Sequence, residues 1–279
     1  MKQRTIASPV EISGVGLQTG AKVTLTLKGS PANSGINFIR VDLPDKPVLS
    51  VRSLDLSESA MKERRTVLGK GAMAVETTEH FLAALSGLGI DNIIAQINGT
   101  ELPGMDGSAR DFVELLKKAR VVEQAIPRKV MEITRLLRCG DERAFLEVTP
   151  GEDLEISYTL AYDKPGLKGQ SLDIVLNEAS FEREIAPART FCLEEEALEL
   201  LKRGLGKGAN YANTLVIGKD GEPLQNKFRF PDEPVRHKIL DLVGDLYLLG
   251  MPIKGRIVAM KSGHKLNMDL VKKLKALTN

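Results

Sequence analysis

The chain has 279 residues, 42% of them hydrophobic and 27% charged, a composition that suits one large or two ordinary globular domains with a true core. Lys and Arg number 39 against 37 Asp and Glu, a formal charge of +2. No broad field therefore favours nucleic acid or an anionic membrane, and an anionic ligand would need a local cluster of cations.

Two distant cysteines, Cys139 and Cys192, make no disulfide framework and point to a reducing cytoplasm. No apolar run reaches the roughly 18 residues of a membrane span, and the first residues carry no stretch that reads as a signal peptide. From the N-terminus, GVGLQTG at Gly14 has GxGxxxG spacing but leads into a strand, so it reads as a hairpin turn rather than a nucleotide loop. Alternating apolar residues predict strands at VTLTLKG from Val23 and INFIRVD from Ile36. EHFLAALSG from Glu79 reads as a buried helix with Thr77 or Thr78 as its cap. The strand IIAQING from Ile93 follows, then the helix RDFVELLKKA from Arg110 with Asp106 or Ser108 as cap. Helical periodicity stops near Ile126 and Pro127, where KVMEITRLL opens a new strand. Further strands are expected at FLEVTPG from Phe145 and at Leu154, and GLGKG from Gly204 reads as a flexible loop. The helix RHKILDLVG from Arg236 begins around Pro234, with Asp232 or Glu233 as cap. The strand IVAMKSG from Ile257 and the helix MDLVKKLKAL from Met268 end the chain.

These elements repeat. EHFLAALSG and RHKILDLVG each open with a charged residue and His and reach Gly at the same offset. A strand and a second helix follow in both halves. The expected fold is α+β, two similar domains from an internal duplication, residues 1–126 and 127–279. Each would be a sheet layer with helices, the helix layers packed face to face between the sheets. Function would then lie between the domains.

Only three histidines occur, His80, His237 and His264. Asp241 follows His237 by four residues, so both leave one helix face about a turn apart, with Gly244 and Asp245 on the same polar stripe. Ile239, Leu240, Leu242, Val243 and Leu246 form the opposite, buried face. His80, beside Glu79, opens a helix apolar on nearly all sides, where an ionisable pair is costly without a partner or a duty. His264 stands at a strand-to-helix turn, with Asp245 as a candidate carboxylate to orient it and raise its pKa. Two imidazoles and one carboxylate, from His80, His237 and Asp241, give a three-ligand site with room for water, the form of catalytic zinc. Glu79 is then the candidate general base, and no HExxH occurs. The same ligands suit the facial triad of a non-haem Fe(II) oxygenase, although the adjacent Glu79 favours hydrolysis. A duplicated scaffold for RNA or protein is a third reading, disfavoured by the absence of Trp and only 4% aromatics.

The motifs TTEHFLAAL, ELPGMDGSA, ARTFC, NTLVIG, PVRHKILDLVGDLYLLG and KSGHKLN occur in that order. With them the chain resembles the UDP-3-O-acyl-N-acetylglucosamine deacetylases, the zinc amidases of lipid A biosynthesis, from GVGLQTG to the terminal helix. The resemblance implies removal of an N-acetyl group, as acetate, from that small-molecule substrate, by a cytoplasmic monomer with no nucleic-acid partner. It implies Zn2+ on His80, His237 and Asp241, with Fe2+ as the alternative in the cell. It casts Glu79 as general base, His264 backed by Asp245 as the cationic histidine, and Thr190 as a hydroxyl donor to the oxyanion. Phe191 and Lys238 match positions near the sugar and phosphates, and Tyr162 an aromatic over the uracil ring. An insert at about 190–217 matches the acyl-chain site, its walls including Ala197, Leu205, Tyr211 and Val216. The chain departs from the family at Gln18, where His is usual, and at Gly206, where some relatives carry a bulkier residue in the acyl passage.

Overall fold

The computed structural model describes residues 1–53, 64–162 and 164–277. The first sheet holds β1 (Val10–Val15), β2 (Lys22–Gly29), β3 (Ile36–Arg40), β4 (Val48–Ser50) and β5 (Ile93–Ile97). Burial in these strands alternates with period two: Val23, Leu25 and Leu27 of β2 and Ile93, Ala95 and Ile97 of β5 all enter the core. The strand order is β1-β2-β5-β3-β4, and only β3 and β5 run parallel.

The second sheet holds β6 (Leu137–Gly140), β7 (Phe145–Thr149), β8 (Leu154–Ala161), β9 (Lys168–Leu176) and β10 (Ile253–Met260), in the order β6-β7-β10-β8-β9. Again one pair on this path is parallel, β8 with β10, in the same slot as β3 with β5. A short strand, Met131–Glu132, adds a sixth member beside the start of β10. The two halves therefore share strand order and strand sense, as the repeated sequence pattern leads one to expect.

Helix α1 (Glu79–Gly87) precedes β5 and α2 (Arg110–Lys118) follows it. In the second half come α3 (Glu194–Lys202), α4 (Glu233–Leu246) before β10, and α5 (His264–Lys275) after it. Phe81 of α1 seats the helix on the first sheet: its ring lies 6.0 Å from Phe38 of β3 and 5.5 Å from Phe112 of α2. Helix α4 rests on β8 and β9, and α1 and α4 pack against each other. Both are buried on all sides, so the core runs without a break from one sheet to the other. This is an α+β fold with its helix layers in the middle.

Several local expectations shift. KVMEITRLL is not one strand: Met131 and Ile133 bond to the carbonyls of Pro252 and Lys254, the chain then turns out to an exposed Leu136, and its last residue, Leu137, opens β6. Val121–Pro127, where no strand was expected, pairs antiparallel with Lys2–Ile6. Helix α5 starts at His264, four residues before the apolar repeat begins. The GLGKG loop is not free: Lys207 and Gly208 donate backbone hydrogen bonds to Gln18 and Leu17 of the β1–β2 hairpin. Thr78 and Asp232 occupy cap positions without side-chain cap bonds, and Ala109 takes that place for α2, with Ser108 Oγ accepting from Arg110 N behind it.

Candidate active site between the central helices

His80 lies in the first turn of α1, and His237 and Asp241 lie one turn apart on α4. The crossing of these helices places the two imidazole centroids 5.0 Å apart, nearly perpendicular at 84°. Asp241 Oδ1 stands 3.3 Å from His237 Nε2 and 3.8 Å from His80 Nε2. One ligand atom from each of the three lies within 4.8 Å of the others, a cluster that could hold a metal ion. This polar stripe of α4 is buried against α1, with His237, Asp241 and Asp245 at 3%, 4% and 0% exposure.

The surroundings prepare these atoms. His237 Nδ1 lies 3.0 Å from the carbonyl of Ala188; with the proton assigned there, Nε2 keeps its lone pair for a ligand. Burial lowers the His80 pKa to about 3, aided by the neighbouring His237, so that ring is neutral. Burial alone would raise the Asp241 carboxyl, but Lys238 and His237 hold it well below the usual carboxylate range. Lys238 Nζ donates to Asp241 Oδ2 at 2.7 Å, leaving Oδ1 to face the imidazoles.

Beside the cluster stand two further ionisable groups. Glu79 is 2% exposed, and burial pushes its pKa up to about 8 against the opposing charge of His264. His264 shows the reverse balance. Burial would lower its pKa, yet the charge and hydrogen bond of Asp245 carry it up to about 9. Nδ1 of His264 meets Asp245 Oδ2 at 2.8 Å, and Asn267 Nδ2 donates to the same oxygen at 2.8 Å. A charged imidazolium thus shares one wall with the neutral His80 ring and the ionised Asp241, and burial gives Glu79 the raised proton affinity that suits an acid–base group.

All of these side chains except Asp245 and Asn267, which lie behind His264, line a cavity of about 630 Å³. Thr190, Phe191, Lys238 and Tyr162 line it as well, with the Tyr162 and Phe191 rings 5.8 Å apart. Thr190 is set by its neighbours. Its amide donates to the Gly107 carbonyl at 2.8 Å, and the adjoining Arg189 forms a buried pair with Glu233 of α4, N to O 2.8 Å. Glu233 therefore clamps the Thr190 segment to α4 rather than capping the helix.

A second cavity of about 280 Å³ lies under α3, lined by Ala197, Leu198, Leu201, Gly206, Tyr211 and Val216 among others. Leu205 is not part of its wall. Gly204 and Gly206, at φ of 74° and 68°, turn the chain over at the end of α3 and bring Gly206 to the wall instead. Leu17, Gln18, Arg64, Thr190 and Phe191 line both cavities.

Sequence reasoning passed over several residues here. Arg64 is held between Glu196 at 2.9 Å and the Phe191 carbonyl at 3.1 Å. Glu101, also passed over, is buried and accepts from the backbone N–H of Gln18 at 2.9 Å; Gln18, marked in the sequence only as a departure from the family, accepts through Oε1 from Gly206 N at 3.2 Å. Thr66 donates to both Glu79 and Asp245. None of them sits in a periodic pattern or beside a histidine, so only the long-range fold reveals them. Asn267 lay inside the quoted KSGHKLN motif, and the helical offset from His264 could have marked it.

Comparison with known proteins follows the same lines. The model of the LpxC family, UDP-3-O-acyl N-acetylglycosamine deacetylase, matches residues 3–276. A protein of Anaeromyxobacter sp. (strain Fw109-5) named UDP-3-O-acyl-N-acetylglucosamine deacetylase is 40% identical over 275 residues, 98% of this chain and 88% of its own. A protein of the same name from Trichormus variabilis is 39% identical over 284 residues, with both chains fully covered. Another, from Pseudomonas entomophila, is 40% identical over 284 residues, covering this chain and 92% of the relative.

Proposed function

The chain belongs to the LpxC family of UDP-3-O-acyl N-acetylglycosamine deacetylases, and from that premise we propose that it hydrolyses the N-acetyl group of UDP-3-O-acyl-N-acetylglucosamine, releasing acetate, in lipid A biosynthesis. The observation that carries this reading is the convergence of His80, His237 and Asp241 with Glu79 and His264 on one cavity that adjoins a second, apolar one.

The donor set fits a divalent ion: two imidazoles, one held neutral by burial and one directed by a backbone carbonyl, and one ionised carboxylate. We assign Zn2+ to it, with Fe2+ as the alternative in the cell. Such an ion, when bound, supplies Lewis acidity to the amide carbonyl and makes the attacking water more acidic.

The protein's own groups do the rest. Glu79 takes the proton of the attacking water as general base. The Thr190 hydroxyl donates to the oxygen where negative charge develops. The imidazolium of His264, held charged by Asp245, faces that same charge and can hand its proton to the departing amine. Tyr162, Phe191 and Lys238 bind the sugar nucleotide, and the cavity under α3 takes the acyl chain. Cys139 and Cys192 are both free and buried, and no helix among the described residues is long and apolar enough to cross a membrane. On the family reading we assign the reaction to a cytoplasmic monomer, and residues 1–126 and 127–279 to the two units of the duplication.

The deciding experiment measures acetate release from UDP-3-O-acyl-N-acetylglucosamine by chelator-treated protein before and after Zn2+ is restored. Activity lost and regained is the expected result. No acetate from the metal-loaded protein would overturn the proposal.

A further inference from the structure

One residue outside those assigned above touches both Glu79 and the His264–Asp245 pair. Thr66 is 3% exposed and precedes the short strand Val67–Leu68. Its amide donates to Glu79 Oε2 at 3.1 Å, and its hydroxyl donates to Asp245 Oδ1 at 2.5 Å. The same hydroxyl oxygen lies 3.3 Å from His264 Nδ1. Its carbonyl accepts from Thr77 N at 2.9 Å, which ties it to the turn that leads into α1.

The arrangement is fully used. A threonine hydroxyl has a single proton to give, and here it goes to a carboxylate whose other oxygen already receives His264 and Asn267. Thr66 comes from the first half of the chain and Asp245 and His264 from the second, so this bond joins the two halves at the chemistry itself. Glu79 is reached through the backbone and Asp245 through the side chain, so the distance between them is set by the internal geometry of one residue. Threonine is stiff at χ1 because its β-carbon is branched, which keeps that geometry narrow.

We propose that Thr66 is a positioning residue for the deacetylation: it holds Glu79 and the His264–Asp245 pair at a fixed mutual orientation across the interface of the two halves. The proposal rests on the deacetylase reading given above. A threonine that merely satisfied buried polar groups would affect folding and not the chemical step.

The test compares Thr66→Val, which keeps shape and the backbone donor, with Thr66→Ser, which keeps the hydroxyl, in full-length zinc-loaded protein. Thr66→Val is expected to lower kcat about 10- to 100-fold, the size of a hydrogen bond to a charged group, with KM and bound zinc unchanged. Thr66→Ser should stay within a few-fold of the parent. Thr66→Val combined with Asp245→Asn should cost less than the two losses multiplied, because both break the same link. Full kcat in Thr66→Val overturns the proposal. So does a loss accompanied by depleted zinc or a lowered Tm that Thr66→Ser fails to rescue, which would mark the role as structural. If the parent protein itself releases no acetate, the deacetylase reading has failed first, and the two failures are told apart.

Discussion

Gly244 lies directly against the backbone of Glu79: a β-carbon on it would stand 2.0 Å from the Glu79 carbonyl oxygen and 3.1 Å from the Glu79 α-carbon. The absence of a side chain lets α4 approach α1 closely enough for the two imidazoles to face each other. Gly244→Ala must force the helices apart or bend them, since the obstacle is backbone rather than a flexible side-chain tip. Overpacking of this kind costs about 1–3 kcal/mol. The expected result is a lower Tm together with weaker zinc binding, read by calorimetry and by competition with a chelator. A variant with parental zinc affinity would show that the close crossing does not set the metal site.

Glu79→Ala removes the proposed general base without touching a ligand atom. Turnover should fall by roughly 10² to 10⁴, while zinc content measured on the purified protein stays at the parental level. Retained turnover would remove Glu79 from the mechanism.

His264 should impose a basic limit on activity. Its pKa is raised from 6.5 to about 9: burial works against the charge, and Asp245 outweighs it. The imidazolium is therefore present through neutral pH, and a step that needs it weakens as pH rises through about 9. Asp245→Asn removes the stabilising charge and leaves burial dominant, so the basic limb of kcat/KM should move to lower pH. Folding follows the same sign. A folded pKa above the unfolded one adds stability that is full below about 6.5 and is lost by about 9. A basic limb that does not move in Asp245→Asn argues against this coupling.

Lys238 neutralises the outer oxygen of Asp241 at 2.7 Å. Lys238→Met keeps most of the stem but strips the donor that orients the carboxylate. Loss of such an outer partner typically costs about 10- to 100-fold in metal affinity, measurable by zinc titration against a competing chelator. Unchanged affinity would confine Lys238 to a role toward the substrate.

Much of this architecture could be read from the sequence because its signals are local. Alternating burial marked β2, β3 and β5, and the repeated order of His, apolar helix and Gly marked α1 and α4 as counterparts. The candidate metal cluster was legible because two of only three histidines, His80 and His237, fall at equivalent places in the two halves, and Asp241 follows one of them at helical spacing. What escaped was set by tertiary pairing. Val121–Pro127 has mostly exposed side chains and is a strand only because Lys2–Ile6 lies beside it. Glu233 carried the composition of a helix cap, yet Arg189, 44 positions away, claims its carboxylate. Thr66 is an ordinary residue in an unpatterned stretch, and its importance comes from Asp245, 179 positions away. Leu205 has the apolarity of a wall residue, but two glycines reverse the chain around it.

The partition formed by Leu17, Gln18, Arg64, Thr190 and Phe191 belongs at once to the polar chamber and to the greasy one. A substrate tail seated in the latter leans on the very residues that frame the former, among them the hydroxyl expected to meet the developing charge. On the proposed placement, tail and reacting amide would be mechanically linked, and grip far from the scissile bond would be converted into speed at it rather than into affinity alone.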